Sequence, residues 1–313
     1  MAILVTGGAG FVGSHVCEEL IKTTQVVCAD VFDSNYPESV KRNNIASMIG
    51  NDNFKLVEIN ITNKTALETL FQDHEIESVI HLAAKTGVRP SIENPKIYFD
   101  VNVNGTLNIL DACRKYDVKK IVFASSSSVY GSVETPFLES GLTIPDSPYG
   151  VSKLAAENLC RIYNKLHGIN VVCLRFFTVY GPRGRPDMAP YIFTEKISKD
   201  EPIKVFGDGS SIRDYTYVKD VVDGVLKALN ADLGFEVINI GNSNPVKLLD
   251  FIAIIEKLVG KKANIQHEAE QPGDMGATFA DMTKAEKLLN FKPTTSIEQG
   301  MAEFVKWYNE TMK

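Results

Sequence analysis

Cysteine is scarce and unpatterned in this 313-residue chain: Cys17, Cys28, Cys113, Cys160 and Cys173 are odd in number and carry no metal-ligand spacing. That excludes a disulfide scaffold and a thiolate metal centre. Cys17, Cys28, Cys160 and Cys173 sit in apolar helix or strand patterns and read as small buried hydrophobes in a reducing compartment. A basic excess is missing too. The formal net charge of −6 argues against a broad nucleic-acid or anionic-membrane surface, so an anionic ligand has to be met by a local cluster of cations. No apolar run reaches the roughly 18 residues that a membrane span needs. Residue 3 already falls in a strand pattern, which leaves no room for a leader, and there is no internal repeat and no disordered tail. The expectation is a cytoplasmic globular protein without a metal, whose 44% hydrophobic content supplies a sizeable core.

What is present is an alternation. Through residue 175, short β-rich runs ("AILVTG", "QVVCAD", "FKLVEI", "SVIHLA", "KIVFASS", "NVVCLRFF") are separated by helix-length segments. Such spacing implies right-handed βαβ units and an α/β fold, a doubly wound parallel (Rossmann) sheet covered on both faces. Ligands in such folds bind beyond the carboxyl ends of the strands. After Phe177 the pattern gives way to "TVYGPRGRPDMAP" and "IKVFGDGSSIRDYTYVKDV", dense in Gly, Pro and charge, and "FEVINIG" reads as a strand that rejoins the sheet. The expected division is a Rossmann domain from 1–177 plus 212–241 and a smaller, discontinuous C-terminal substrate domain from 178–211 plus 242–313.

The first strand runs into "TGGAGFVGSH". Gly7, Gly10 and Gly13 give a GxxGxxG spacing, and Gly8, Gly10 and Gly13 a GxGxxG. The glycines permit a tight turn and close approach of backbone to a pyrophosphate, which then sits on a helix N-terminus. Asp30 ends the second strand, where an acidic residue accepts adenosine ribose hydroxyls and repels a 2′-phosphate. NAD is therefore expected rather than NADP, although Lys41 and Arg42 follow downstream.

"SPYGVSKLAAENL" places Tyr149 and Lys153 four residues apart at the start of a long amphipathic helix, on one face. A tyrosine serving as base near neutrality needs its pKa moved by about 3 units, roughly 4 kcal/mol. One ammonium about 4 Å away at an effective dielectric of about 20 is worth that much. Lys153, helped by a positive nicotinamide ring, is expected to supply it. Upstream, "ASSSSVYG" at 124–131 ends a core strand in a row of hydroxyls rather than in apolar residues.

With "GGAGFVGSH", Asp30, "HLAA" at 81–84, "NVNGTLNIL" at 102–110, "SSSSVYG" and Tyr149-x-x-x-Lys153 in order, the chain resembles the extended short-chain dehydrogenase/reductase family over essentially its whole length. The resemblance implies that Ser126 hydrogen-bonds the reacting sugar hydroxyl beside Tyr149 and Lys153, and that Asn102 supports the active-site helix. It places the cofactor against Gly7, Gly10, Phe11, Val12, Gly13, Asp30, Asn60, Ile61, Leu82, Ala83, Ala84, Lys85, Asn102, Tyr149 and Lys153. It also implies a homodimer through helices around 96–115 and 150–167.

Oxidation of a sugar at C4 begins several reactions in that family. Its dehydratases carry a Thr-Asp-Glu triplet ahead of "VYG" and its decarboxylases a glutamate directly before it, whereas this chain has Ser126, Ser127 and Ser128. Epimerisation is what the resemblance then implies. "RFFTVYGPRGRPDM" and "QPGDMGATFAD" resemble members acting on UDP-glucuronate more than members acting on UDP-galactose, which have asparagine at the position of Thr178. Hydroxyls of Ser127, Ser128 and Thr178 are neutral donors suited to a C6 carboxylate. Arg185 adds charge there or reaches the diphosphate. Arg213 matches a phosphate-binding arginine, Phe206, next to Val205, an aromatic that stacks on uracil, and Asp274 a partner of the uridine ribose. Two positions depart from the pattern: Gln271 stands for an arginine of many sugar-nucleotide epimerases, and Asn60 for an aspartate near the adenine. The alternatives are epimerisation of UDP-glucose or its N-acetylated relative, decarboxylation of UDP-glucuronate, and NAD binding without chemistry.

Overall fold

The structure, a computed structural model, describes residues 1–33, 37–269 and 276–311. Six parallel strands, β1 (Ala2–Thr6), β2 (Gln25–Asp30), β3 (Phe54–Glu58), β4 (Ile76–His81), β5 (Lys120–Ser126) and β6 (Asn170–Phe176), join the strand Phe235–Ile240 in one seven-stranded sheet. Its order places β1 between β4 and β2, with β3 at one edge and β6 followed by Phe235–Ile240 at the other. The chain starts in the middle, winds outward to β3, then crosses back to β4. The ends of β1 and β4 therefore diverge, and the crevice between them is where an α/β sheet takes a ligand.

Both faces of the sheet are apolar, as near-continuous Val/Ile/Leu runs demand of parallel strands. On one side Leu67, Leu70, Ile109, Leu110, Ala156 and Cys160, from the helices Lys64–Asp73, Thr106–Lys115 and Pro148–His167, pack on Leu4, Val79, Ile121 and Val171. On the other, Val16 and Cys17 of the helix Phe11–Leu20 and Val221 and Val225 of Val218–Asn230 cover Val5, Ile80, Val122 and Val172. All five cysteines are free and buried in these layers, as small hydrophobes are.

Smaller sheets carry the rest. Thr178–Tyr180 pairs in parallel with Tyr215–Tyr217, and Pro202–Phe206 with Asn264–Glu268. Ile212–Arg213 lies between Val246–Lys247 and Ala277–Thr278. The segment 212–217 thus bonds to strands from both parts of the expected substrate region, a tie that a boundary drawn at 212 overlooks. Among the described residues no helix is long and apolar enough to cross a membrane, and no group of three or more His, Cys, Asp or Glu is arranged to hold a metal ion.

Candidate active site

The turn after β1 is closed by its own sterics. Gly7 has φ +70°, and a Cβ there meets the Ala83 amide nitrogen at 2.8 Å; a Cβ on Gly13 meets the Gly7 carbonyl oxygen at 2.1 Å. The turn, the helix Phe11–Leu20 and the ends of β2 and β4 enclose a cavity of about 920 Å³ lined by Gly7, Gly10, Phe11, Val12, Gly13, Asp30, Asn60, Ile61, Leu82, Ala83, Ala84, Lys85, Ser126, Tyr149 and Lys153. Nearly every residue expected to contact the cofactor lines this cavity. The exception is Asn102, buried behind the wall: its Oδ1 accepts from the Lys85 amide at 2.8 Å, and its Nδ2 donates to the Lys85 carbonyl and the Ser152 hydroxyl at 2.9 Å. It fastens the strand-end loop to the helix of Tyr149. A π-helical segment, Phe99–Gly105, carries Asn102; such insertions concentrate at functional sites, and the sequence pattern shows only a helix.

A glycine cradle that a single Cβ would fill, a helix N-terminus and a carboxylate at the end of β2 fit a dinucleotide, whose pyrophosphate belongs on the turn. Asp30 also orders the turn, its Oδ2 accepting from the Ala9 amide at 3.2 Å and its Oδ1 from the Phe32 amide at 3.0 Å. The two downstream cations are committed to carboxylates. Lys41 Nζ lies 2.6 Å from Asp33 and 3.6 Å from Asp30, and Arg42 pairs with Glu38 and Glu58. Lys85 Nζ also reaches Asp33, at 2.5 Å. Burial works against the Asp33 carboxylate, but Lys41 and Lys85 overcome it and hold the group below its ordinary value.

Tyr149 and Lys153 ride on the helix Pro148–His167, which starts cleanly because Ser147 caps it, accepting from the Gly150 amide at 3.1 Å, and Pro148 occupies its first position. The Tyr149 ring is half-buried, edge-on to Tyr98 at 6.1 Å. Burial pushes its phenol up; a hydrogen bond with Ser126 and the charge of Arg185 pull the other way. Lys153 is held from the strand side. Its Nζ donates to the Ala124 carbonyl at 2.7 Å and lies 4.9 Å from the centre of the Phe123 ring. Burial brings Lys153 itself down to about 8. Behind it His81, with Nδ1 2.7 Å from the Thr6 hydroxyl and Nε2 3.0 Å from that of Thr106, is held down to about 3 by burial and the Lys153 charge. It is neutral, and the sequence marks it only as the first residue of "HLAA".

A second cavity, of about 780 Å³, is lined by Thr178, Phe206 and Arg213 among others, and shares Arg89, Asp187 and Met188 with the first. Arg185 lines the first; its Nε and Nη2 contact the Asp187 carboxylate at 3.0 and 2.5 Å, and its Nη1 the Thr86 hydroxyl. Arg89, exposed and missed by the sequence reading, lies with its guanidinium 4.5 Å over the Phe206 ring. The rule that strand ends face the site was followed only to Lys85, four residues short of it.

Three expected substrate contacts fall outside both cavities. Val205 is fully buried in the core, because alternation along Pro202–Phe206 turns Ile203 and Val205 inward and leaves Phe206 toward the cavity. Ser127 and Ser128 are half-buried in the 3₁₀ turn Ser127–Val129, where Ser126 Oγ accepts from the Ser128 amide at 3.2 Å, and they line neither cavity. Asp274 and Gln271 lie outside the described residues.

Comparison with known proteins agrees with this geometry. The profile of the NAD dependent epimerase/dehydratase family matches residues 3–241. A UDP-glucuronate 4-epimerase from Thermodesulfobacterium geofontis is 43% identical over 313 residues, covering 99% of this chain and 97% of the relative. The structure of UDP-glucuronic acid 4-epimerase from Bacillus cereus in complex with UDP-glucuronic acid and NAD superimposes with a TM-score of 0.95 at 41% identity over 99% of both chains. UDP-glucose 4-epimerase from Thermotoga maritima, solved with UDP-glucose, follows with a TM-score of 0.93 at 33% identity over the full length of both. Because the family match runs from β1 to the residue after the seventh sheet strand, and the relatives span almost the entire chain, the protein belongs to the NAD dependent epimerase/dehydratase family.

Proposed function

We propose that this protein interconverts UDP-glucuronate and UDP-galacturonate by epimerisation at C4. The observation that carries the reading is a reacting tyrosine, hydrogen-bonded to Ser126, in a chain whose positions 126–128 offer hydroxyls where acid-dependent outcomes need carboxylates. Full-length likeness to UDP-glucuronate 4-epimerases supports it.

Gly7, Gly10, Phe11, Val12 and Gly13 would hold the pyrophosphate of NAD, Asp30 the adenosine ribose, Asn60 and Ile61 the adenine, and Leu82, Ala83, Ala84 and Lys85 the length between. Lys153 and Tyr149 would meet the nicotinamide ribose. Bound NAD supplies the hydride acceptor and returns the same hydride. The Tyr149 oxygen takes the proton of the sugar C4 hydroxyl as the C4–H bond breaks, with Ser126 hydrogen-bonded to that hydroxyl. The resulting 4-keto sugar turns over in the site, and the hydride and proton return to the opposite face. Nothing is consumed. Thr178 and Phe206 of 178–211 and Asp274 of 242–313 belong to the UDP-sugar side, with Arg213 reaching it from 212–241, and 1–177 plus 212–241 hold the cofactor. Phe99, Val151, Ile162 and Leu166 are exposed on the helical segments 96–115 and 150–167, which supports their pairing with a second copy. Buried free thiols suit a cytoplasmic setting.

Incubation with UDP-glucuronate and no added reductant, followed by NMR of the products, tests the reading. UDP-galacturonate as sole product is expected; a UDP-pentose with CO2, or turnover of UDP-glucose only, overturns it. The 4-keto intermediate is a β-keto acid and loses CO2 when the breaking bond overlaps the carbonyl. Thr178, which lines the second cavity, is assigned to hold the carboxylate out of that geometry. Thr178→Ala is therefore expected to raise the UDP-pentose fraction several-fold, and an unchanged product ratio disposes of the assignment.

A further inference from the structure

Of the four serines in "ASSSSVYG", Ser126 has a place in the reaction; the first, Ser125, does not. It is buried, and its hydroxyl donates to Glu157. Glu157 is one turn beyond Lys153, so Tyr149, Lys153 and Glu157 follow at i, i+4 and i+8 along one face of the helix Pro148–His167. The same carboxylate accepts from Arg175 of β6, Nε at 2.9 Å and Nη2 at 2.8 Å, with both side chains only 5% exposed. Ser125 and Arg175 are register partners across β5 and β6, and Arg175 is in turn the partner of Asn239 on Phe235–Ile240. The row continues: the Arg175 guanidinium lies 4.6 Å from the centre of the Tyr130 ring, and the Tyr130 hydroxyl donates to Asn239 at 2.7 Å. Three neighbouring strands thus carry one transverse row of buried polar groups, two of which, Ser125 and Arg175, bind one helical carboxylate.

A buried ion pair is poor evidence of stability, since apolar side chains of similar volume often serve the fold as well. Its placement is better evidence. We propose that Glu157 is a positioning residue for the epimerisation assigned above: by gathering Ser125 of β5 and Arg175 of β6 onto the helix of Tyr149 and Lys153, it fixes that helix against the strand end where Ser126 stands. The inference rests on the C4-oxidation chemistry of that reading and not on the uronate. Ser126 follows Ser125 directly, and the Lys153 ammonium is bonded to the carbonyl of Ala124, the residue before it. The grip of Glu157 on Ser125 therefore sets both contacts of the reacting helix with β5.

A charge follows from the same geometry. The titratable groups acting on Lys153 are Glu157 and Cys160 of its own helix, Cys173 of β6 and His81 of β4. Burial keeps the Cys173 thiol from ionising and His81 is neutral, so Glu157, ion-paired to Arg175, is the carboxylate that offsets burial at Lys153. Glu157→Gln removes this anion and leaves the Arg175 cation uncompensated nearby.

The experiment measures kcat, KM and NAD content of Glu157→Gln across pH, on whichever UDP-sugar the wild-type protein turns over fastest. A wrong uronate assignment and a wrong role for Glu157 then give different results. The expected outcome is a kcat lower by about tenfold, KM within about twofold and unchanged NAD content. The limb of kcat set by Lys153, the one near pH 8, moves down by about one pH unit as Lys153 loses its anionic neighbour. A residue that only stabilised the fold would lower the melting temperature and leave the shape of the pH profile intact. Ser125→Ala guards against misfolding, because it removes one hydroxyl and no charge; its kcat is expected to fall several-fold with NAD content and melting temperature preserved. A wild-type kcat in Ser125→Ala, or a Glu157→Gln pH profile superimposable on the wild-type one, overturns the proposal.

Discussion

Tyr149→Phe is expected to abolish turnover while NAD stays bound. The substitution removes one oxygen and leaves the ring, so the edge-on contact with Tyr98 at 6.1 Å and the packing of the helix start persist. What disappears is the acceptor for the C4 proton and the hydrogen bond with Ser126. General acid–base groups contribute about 10²–10⁴-fold, and here the group serves twice, as base in oxidation and as acid in return. A loss at the upper end, about 10⁴-fold, is expected, with NAD recovered from the purified variant at the wild-type ratio. Residual kcat within tenfold of wild type removes Tyr149 from the role.

The pH dependence has a definite sign. Burial holds the Tyr149 phenol above its ordinary value, so at neutral pH the phenol is protonated and its base form grows as pH rises. Lys153, brought down to about 8 by burial, keeps its ammonium below that pH and loses it above. A rate that needs the phenolate and the ammonium together climbs from the acid side to about pH 8, levels off where Lys153 loses protons while the phenolate still grows, and falls only above the Tyr149 value.

The fold was legible because its determinants are local and repeated. Each of the six runs from "AILVTG" to "NVVCLRFF" is a strand of the sheet, and "FEVINIG" rejoins it beside β6. Backbone sterics set the cofactor half: few positions other than glycine tolerate the turn after β1, and strand ends in a parallel sheet converge by topology. Side-chain fields are another matter. No spacing rule predicts that Lys153 answers to the Ala124 carbonyl and to its own burial before it answers to Tyr149, nor that Arg185 spends its charge on Asp187, two residues away. Val205 shows a different limit. "IKVFG" reads correctly as a strand, but which face of a short, isolated pair looks into a cavity depends on what packs behind it. Asn102 was placed by resemblance, while the π-helical turn that delivers it has no signature in "FDVNVNG".

Gly13→Ala should do the reverse of Tyr149→Phe and remove the cofactor before chemistry is reached. The new Cβ falls 2.1 Å from the Gly7 carbonyl oxygen and 2.8 Å from the Gly8 Cα. These are backbone atoms of the turn itself, with no flexible side chain to yield. Gly7 is no freer: its amide donates to the Ala29 carbonyl at 2.7 Å, its carbonyl accepts from the Gly10 amide at 3.0 Å, and its φ of +70° suits few other residues. The turn has to open by more than an ångström, which separates the helix N-terminus from the place of the pyrophosphate. Overpacking of this kind costs about 1–3 kcal/mol in stability, but the larger effect is on binding. NAD content, read as nucleotide released on denaturation, is expected to fall at least about tenfold, and turnover with it. A Gly13→Ala protein that keeps wild-type NAD content means that the turn does not hold the pyrophosphate as closely as its sterics require. Taken with Tyr149→Phe, the pair separates the two halves of the site: one variant holds the dinucleotide and cannot move a proton, and the other keeps its tyrosine with no hydride acceptor beside it.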